Sequence, residues 1–261
     1  MLKLKILIVF IAFLLIINVN AINQPVYKSG NISTKKIALT FDDGPHPIKT
    51  EKILEILRKH EIKATFFVIG KNIENYPEAF IKVVEEGHEI GNHTYSHSYM
   101  NFNLNSKKIS DEIEKTENLI KKFCNKNNKI LRPPCGLYSD KMVEIAKQRG
   151  YKTILWSIDT QDWAHASKDD IVNSVLNRVK GGDIILFHDY TSGENYTLEA
   201  LNELIPLLKE KDFEIVTVSE ILKWANLTIV KFAYCFILFR GYYLCYLYCF
   251  PRLFLLGDHK N

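Results

Sequence analysis

The central part of this chain is poor in cysteine. Of five cysteines in 261 residues, Cys235, Cys245 and Cys249 lie in the C-terminal tail. Their spacing matches neither paired zinc ligands nor a disulfide framework, so the fold does not depend on a cysteine scaffold. Cys124 and Cys135 could form a disulfide in an oxidising compartment, but two unpaired, half-buried thiols are the simpler interpretation.

A basic excess is also missing from the centre of the chain. The formal net charge is +4, but Lys3 and Lys5 lie near the N terminus, and four further basic residues lie after residue 224 against one acid. Residues 22–224 therefore carry 28 basic and 29 acidic side chains. A nucleic-acid binder concentrates positive charge on its domain, so we expect no nucleic-acid partner.

Long apolar runs are confined to the two ends. At the N terminus, Lys3 and Lys5 precede an apolar run at 6–17, and Val19, Asn20 and Ala21 offer a small-residue cleavage site. About 20 apolar residues are needed to span a bilayer. Residues 1–21 are therefore predicted to be a cleaved signal peptide, with an uncleaved anchor as the alternative. Either outcome makes the protein extracytoplasmic, secreted or attached to the cell surface.

The tail, residues 225–261, is crowded with Phe, Tyr, Leu and Cys and has no regular period. A membrane-spanning segment there would place Arg240 near its middle, at a cost of about 2.5–3.5 kcal/mol. A tail lying on the membrane surface and an out-of-frame sequence without selected structure are equally open. We predict no catalytic role for it.

Between these ends, a polar linker at 22–35 precedes one domain at 36–224 in which strand and helix patterns alternate. Helical patterns occur at 50–60, 77–86, 109–123, 139–149, 167–179 and 197–210, with a final short helix at 219–224. Pro206 predicts a kink or break in the helix at 197–210. Repeated β-then-α units predict a parallel sheet covered by helices, either open or closed into a barrel.

Five clusters of chemically active residues each follow an apolar run that is typical of a β-strand. The clusters are Asp42-Asp43-Gly44-Pro45, His93-Thr94-Tyr95-Ser96-His97, Arg132-Pro133-Pro134-Cys135-Gly136, Asp159-Thr160-Gln161-Asp162-Trp163 and His188-Asp189. The carboxyl ends of parallel strands meet on one face of a sheet or barrel. The sequence therefore predicts a catalytic site at that face.

Two histidines and a neighbouring acid have the chemistry of a metal site. His93 and His97 are four residues apart, which on a helical turn places both imidazoles on one face. The Asp42-Asp43 pair can add a carboxylate, which completes a two-nitrogen, one-oxygen set of the kind that holds catalytic zinc. One of these acids would bind the metal, and the other would face the water.

Further candidates follow other strands. Arg132 stands beside two prolines that fix its backbone, whereas a surface salt bridge would need no such rigidity. His188 follows a very apolar strand and is, in isolation, more typical of a core histidine than of a catalytic one. Asp159 could hold its imidazole and raise its pKa into the working range of a general acid. Trp163 is either a core residue or a wall of the cleft.

Together and in this order, TFDDGP, HTYSH, RPPCG, DTQDW and LFH closely resemble the five motifs of the polysaccharide deacetylases, a carbohydrate esterase family, over about residues 36–224. The resemblance implies a distorted (β/α) barrel with its active site at the carboxyl ends of the strands. It implies one divalent metal ion, most often zinc, with cobalt, nickel or manganese as alternatives. The implied metal ligands are Asp43, His93 and His97.

The same resemblance implies the remaining roles. Asp42 would be the catalytic base oriented by Arg132, and His188 the general acid tuned by Asp159. The implied substrate-binding residues are Pro134, Cys135, Gly136, Trp163 and Leu186. The family usually has Tyr or Phe where Cys135 stands, and its backbone N–H would still hold the oxyanion. Ser98-Tyr99-Met100 also departs from the family, which often has proline there, and this could reshape substrate binding.

The implied activity is removal of N-acetyl groups from an N-acetylglucosamine-containing polysaccharide. We expect peptidoglycan first, then a chitin-like or exported glycan, with membrane association through either terminal segment. Two other hypotheses remain: a catalytically weak glycan-binding module on the same fold, and an exported metal hydrolase of a non-carbohydrate amide.

Overall fold

The computed structural model describes residues 26–98, 104–124, 128–191 and 195–223. The predictions for the signal segment at 1–21 and the tail at 225–261 lie outside these residues. Among the helices of the described ranges, none is both long and apolar enough to cross a membrane.

Strands and helices alternate through the described chain. The strands are β1 (Val26–Tyr27), β2 (Lys36–Asp42), β3 (Thr65–Val68), β4 (Glu89–Asn92), β5 (Ile130–Leu131), β6 (Lys152–Ile154), β7 (Ile158–Asp159), β8 (Ile184–His188) and β9 (Glu214–Ile215). The α-helices are α1 (Lys49–Lys59), α2 (Gly70–Asn75), α3 (Pro77–Glu85), α4 (Ser106–Phe123), α5 (Asp140–Gln148), α6 (Lys168–Leu176) and α7 (Thr197–Glu210). Residues 218–223 are also helical, as expected.

All hydrogen-bonded neighbours among these strands run parallel to each other. The order is β1-β6-β5-β4-β3-β2-β8-β7, with β9 paired to β2, and the sheet curls into a half-barrel flanked by helices. The predicted distorted (β/α) barrel is thus confirmed.

The apolar runs are strands because they are buried on both faces. In β2, residues 37–41 are all fully buried, as expected for a parallel strand covered by helices. Phe41 stacks on Phe66 with ring centroids 5.0 Å apart, and Phe187 of β8 lies 5.8 Å from Phe41. The polar residues that follow these strands are therefore brought to one edge of the sheet.

Side-chain caps begin several helices where the sequence predicted them. Ser139 Oγ accepts a hydrogen bond from Met142 N–H, and Ser167 Oγ accepts one from Asp170 N–H. Asp170 also accepts from the Ser167 hydroxyl at 2.6 Å, so the two residues of the predicted capping box bond to each other, although by the hydroxyl rather than by the Ser167 backbone N–H.

The predicted break at Pro206 is wrong, because α7 runs from Thr197 to Glu210 as one helix, whereas the alternative of a kink stays a prediction. Leu204, Ile205 and Leu208 are fully buried around the proline. Their burial holds both turns against the core and offsets the lost backbone hydrogen bond.

Candidate active site

The strand register brings the polar clusters together. Asp42 at the end of β2 is paired with His188 at the end of β8. Asn92, the last residue of β4, is paired with Leu131 of β5, so that His93 and Arg132 leave neighbouring strands side by side. The sequence prediction that the clusters share one face is therefore confirmed for these residues.

Asp43, His93 and His97 form a compact set of ligand atoms. One donor atom from each residue lies within 4.8 Å of the others. Asp43 Oδ1 lies 3.1 Å from His97 Nε2 and 3.4 Å from His93 Nε2. His93 is buried, whereas His97 is partly exposed, which leaves one side of the set open to solvent.

The two histidines do not lie on a helical turn, so that part of the prediction is wrong. Residues 93–98 form a loop, and the φ angles of Thr94 (69°) and His97 (54°) are in the left-handed region. The loop folds His97 back toward His93, and their ring centroids are 5.1 Å apart. Residues in this conformation are uncommon and often mark functional sites.

The hydrogen bonding of His93 fits a cation at this place. Its Nδ1 lies 2.8 Å from the Arg132 carbonyl oxygen, which can only accept, so Nδ1 carries a proton. In the neutral imidazole, the lone pair of Nε2 then faces Asp43 Oδ1 and, at 3.7 Å, Asp42 Oδ2. A lone pair against two carboxylates is stable only with a proton or a metal ion between them.

Asp43 supplies the matching oxygen. Its Oδ1 is buried and receives no hydrogen bond of acceptable geometry from the described residues. Burial opposes ionisation, but the close contacts of the carboxylate with His93 and His97, and their charge, keep the pKa of Asp43 well below its ordinary value. A buried carboxylate oxygen and two imidazole nitrogens make a set in which a divalent ion fits and keeps an open position.

Arg132 holds the other acid of the pair. Its guanidinium is fully buried, and Nη1 donates to Asp42 Oδ1 at 2.7 Å and to Thr40 Oγ1 at 2.8 Å. Nη2 donates to the Leu155 carbonyl oxygen at 3.0 Å, and the group lies 4.1 Å from the Phe67 ring centroid. Arg132 thus fixes one oxygen of Asp42, while Oδ2 is directed toward the metal-ligand set, as the resemblance implied.

His188 is held by a different acid from the one predicted. Its Nδ1 lies 2.8 Å from Asp162 Oδ1, and its backbone N–H donates to Asp162 Oδ2 at 2.8 Å. Thr197 Oγ1 also donates to Asp162 Oδ2. Burial lowers the pKa of His188, but hydrogen bonding to Asp162 and the charges of the nearby aspartates raise it to about 9.

The prediction that Asp159 tunes His188 is therefore wrong. Asp159 Oδ1 accepts hydrogen bonds from Gln161 N–H at 2.8 Å and Trp163 Nε1–H at 3.4 Å. It closes the turn in which Gln161 has a left-handed backbone, and that turn carries Asp162 beneath His188. Two aspartates three residues apart looked equivalent in the sequence, and only the turn decides between them.

The predicted substrate-binding residues lie around this centre. Pro134, Cys135 and Gly136 form a short 3₁₀ turn after Arg132, with Cys135 exposed and at a φ of 54°. No disulfide joins Cys135 to Cys124. Trp163 is 53% exposed, which favours a cleft wall over a core residue, whereas Leu186 is buried within β8.

Sequence analysis missed a carboxylate that organises the metal-ligand loop. Glu112 of α4 is mostly buried, and its Oε2 accepts from the N–H groups of Tyr95 and Ser96 at 3.0 and 2.8 Å. Its Oε1 accepts from the Ser96 hydroxyl at 2.8 Å. These bonds fix the segment between His93 and His97. The apolar stripe of α4 was visible in the sequence, but no signal marked the acid beside it.

Sequence analysis named Asp189 beside His188 but missed its role. It is almost fully buried, and its Oδ2 accepts from Thr50 Oγ1 at 2.6 Å. Burial and the nearby charges of Asp43 and Asp42 raise the pKa of Asp189 to about 7. A Cβ at Gly44 would lie 1.9 Å from that oxygen, so only glycine lets the Asp42-Asp43 turn pack against Asp189.

Comparison with known proteins agrees with this geometry. The family model for polysaccharide deacetylase matches residues 29–154. The chain is 41% identical over 194 residues to a peptidoglycan-N-acetylglucosamine deacetylase of Bacillus cereus, covering 74% of this chain and 90% of that protein.

Solved structures give the same result. A crystal structure of a peptidoglycan N-acetylglucosamine deacetylase superposes with a TM-score of 0.74 at 36% identity, covering 76% of this chain and 93% of that one. A CE4 family pseudoenzyme from Bacillus anthracis superposes with a TM-score of 0.71 at 33% identity, covering 76% of this chain and 69% of that one. With five motifs gathered at one edge of the sheet, the chain belongs to the polysaccharide deacetylase family.

Proposed function

We propose that this protein is a metal-dependent hydrolase that acts outside the cytoplasm and removes N-acetyl groups from an N-acetylglucosamine-containing polysaccharide. The observation that carries the proposal is the pairing of Asp42 with His188 beside the Asp43, His93 and His97 set. This arrangement places a proton acceptor and a proton donor next to a group of metal ligands. The products would be acetate and a free amino sugar.

A divalent ion held by Asp43, His93 and His97, most often zinc, would polarise the acetyl carbonyl and acidify the attacking water. Cobalt, nickel and manganese suit the same donors. Asp42 is positioned to accept the proton of that water, because Arg132 fixes Oδ1 and leaves Oδ2 turned toward the ligands. The Cys135 backbone N–H would donate to the developing oxyanion.

His188 is suited to protonate the departing amine. Asp162 accepts from Nδ1–H, so the second proton of the imidazolium is on Nε2. A pKa raised to about 9 keeps this group protonated at neutral pH. Asp42, which lacks such a carboxylate partner and is bound by Arg132, serves as the base. Opposite roles for two neighbouring groups follow from their different partners.

Peptidoglycan is the first substrate we propose, because the similar proteins described above act on it and the N-terminal segment resembles an export signal. Chitin-like and exported glycans are the alternatives. A non-catalytic glycan-binding role deserves a test, since one structural relative is a pseudoenzyme. The complete set of Asp42, Asp43, His93, His97 and His188 favours catalysis.

The experiment is to incubate the metal-loaded protein with peptidoglycan fragments and chitooligosaccharides and to measure free acetate and the mass of the glycan. We expect acetate and deacetylated glycan in equal amounts, and neither from the Asp42→Asn variant. Binding of these glycans by the wild-type protein without any acetate release would support the non-catalytic role instead.

A further inference from the structure

A cavity of about 560 Å³ adjoins His188 on the side formed by the first turns of α1 and α7. Lys49, Lys52 and Ile53 contribute from α1, and Thr197, Leu198 and Glu199 from α7. Its volume is typical of a small-molecule binding site. Because His188 lies in its wall, a group bound there would be next to the reacting acetamide.

Within the part of the chain that the structure describes, neither lysine of this wall has an acidic partner. Lys49 Nζ donates to the Thr191 carbonyl oxygen at 2.9 Å and lies 5.8 Å from the Tyr190 ring centroid. The side chain of Lys52 makes no ion pair or hydrogen bond within the described ranges, and its backbone N–H donates to the Ile48 carbonyl oxygen. Glu51, in the same turn, is already paired with Lys82 at 2.6 Å on the other side of the helix. Two positive charges therefore remain available to the cavity.

The position of these lysines in the helix gives no reason for their charge. Both lie in the first turn of α1, where the helix dipole is positive and a cation is unfavourable by about 0.3–1 kcal/mol. Among the described residues of the wall, Glu199 is the one exposed acid, and its position in the first turn of α7 is favoured by the same effect. The helix dipole thus accounts for Glu199 but not for the two lysines, of which only Lys49 has a local contact, with Thr191 and Tyr190.

We propose that this cavity is a subsite for an anionic sugar residue that neighbours the one being deacetylated, with Lys49 and Lys52 binding its carboxylate. Tyr196 is 44% exposed in the same wall and offers an aromatic surface to a sugar ring. This inference rests on the proposed function and narrows it. N-acetylmuramic acid without a stem peptide carries a free carboxylate on its lactyl group, whereas chitin carries none, so the subsite selects peptide-free peptidoglycan strands over chitin.

The test compares three glycans: neutral chitotetraose, a peptide-free tetrasaccharide of alternating N-acetylglucosamine and N-acetylmuramic acid, and the same tetrasaccharide with stem peptides. The variants are Lys52→Gln and Lys52→Glu, and the control is Lys147→Glu on the exposed face of α5. We expect the ratio of kcat/KM for the peptide-free anionic glycan to that for chitotetraose to fall about threefold with Gln and about tenfold with Glu. Lys147→Glu should leave this ratio unchanged.

The outcomes show which carboxylate the lysines bind, and they distinguish failure of the subsite proposal from failure of the proposed function. A loss confined to the peptide-bearing glycan would assign the bound carboxylate to the stem peptide, while equal ratios in all variants would overturn the subsite. Dissociation constants of the same glycans, measured by calorimetry in an Asp42→Asn background, should show the same loss without turnover. The subsite is therefore tested even if the wild-type protein releases no acetate, a result that would contradict the proposed function alone.

Discussion

Replacing Asp162 by Asn tests the structural assignment that differs most from the sequence prediction. The amide keeps the size of the side chain and can still accept from the His188 backbone N–H, but it removes the charge beside Nδ1. The pKa of His188 should fall from about 9 toward its ordinary value of about 6.5. Because each tenfold change in proton affinity is worth about 1.4 kcal/mol, the lost interaction amounts to roughly 3 kcal/mol.

The sign of the effect on activity follows from the role of His188 as an acid. Its protonated form is active, so a lower pKa removes activity from the alkaline side of the pH profile. At pH 7.5 the imidazole changes from almost fully protonated to about one-tenth protonated, and kcat should fall roughly tenfold. Near pH 6 the fall due to protonation should be less than about twofold. The measurement is kcat for deacetylation from pH 5.5 to 10.

Asp159→Asn is the matched control, because Asp159 bonds to its own turn rather than to His188. A bound cation would lower the pKa of His188 in every variant, so the comparison is the shift between variants rather than the absolute value. An alkaline limb that moves with Asp159→Asn and stays in place with Asp162→Asn would refute the assignment of Asp162.

Three further predictions concern the metal ligands, their support and the tail. Asp42→Asn should retain a bound divalent ion but lose about 10²–10⁴-fold in turnover, whereas Asp43→Asn should lose the ion. Elemental analysis together with rate measurements checks this. If Asp42→Asn loses the ion and Asp43→Asn keeps it, the two roles are exchanged. Glu112→Ala should weaken metal affinity about 10–100-fold in a competition titration, because the loop before His97 loses three hydrogen bonds. Glu112→Gln keeps an acceptor and should recover most of this affinity. Equal metal affinity in the two variants would contradict a positioning role for Glu112. Truncation after residue 224 should leave a folded, active enzyme, and loss of the cooperative thermal transition would show that the tail packs into the core.

Much of the fold could be predicted because a parallel strand that is buried on both faces is a nearly continuous apolar run in the sequence. The run at 37–41 has no polar residue except Thr40, whose hydroxyl donates to the Ile185 carbonyl oxygen inside the sheet. Once the strands are known, their carboxyl ends must converge. This is why the sequence alone places Asp42, Arg132 and His188 at one face.

Local backbone conformation could not be predicted in the same way. The spacing of His93 and His97 is compatible with a helix as well as with the observed loop. The loop depends on left-handed residues and on Glu112, which comes from a helix distant in sequence. The choice of Asp162 over Asp159 depends likewise on a left-handed Gln161. Periodicity reports which face of an element is buried, but it carries no information about turns that are stabilised by contacts distant in sequence.

The pairing of Asp42 with His188 has a consequence for how this protein can diversify. The two residues are register partners on adjacent parallel strands, and the ladder continues past them through the Asp189 N–H to the Asp42 carbonyl oxygen at 3.1 Å. Their backbones are therefore separated by the fixed strand spacing of about 4.8 Å rather than by any loop. Insertions or grafts in the loops around the cleft can change which glycan is admitted without changing the distance between proton acceptor and donor. This makes the scaffold suitable for exchanging specificity one loop at a time.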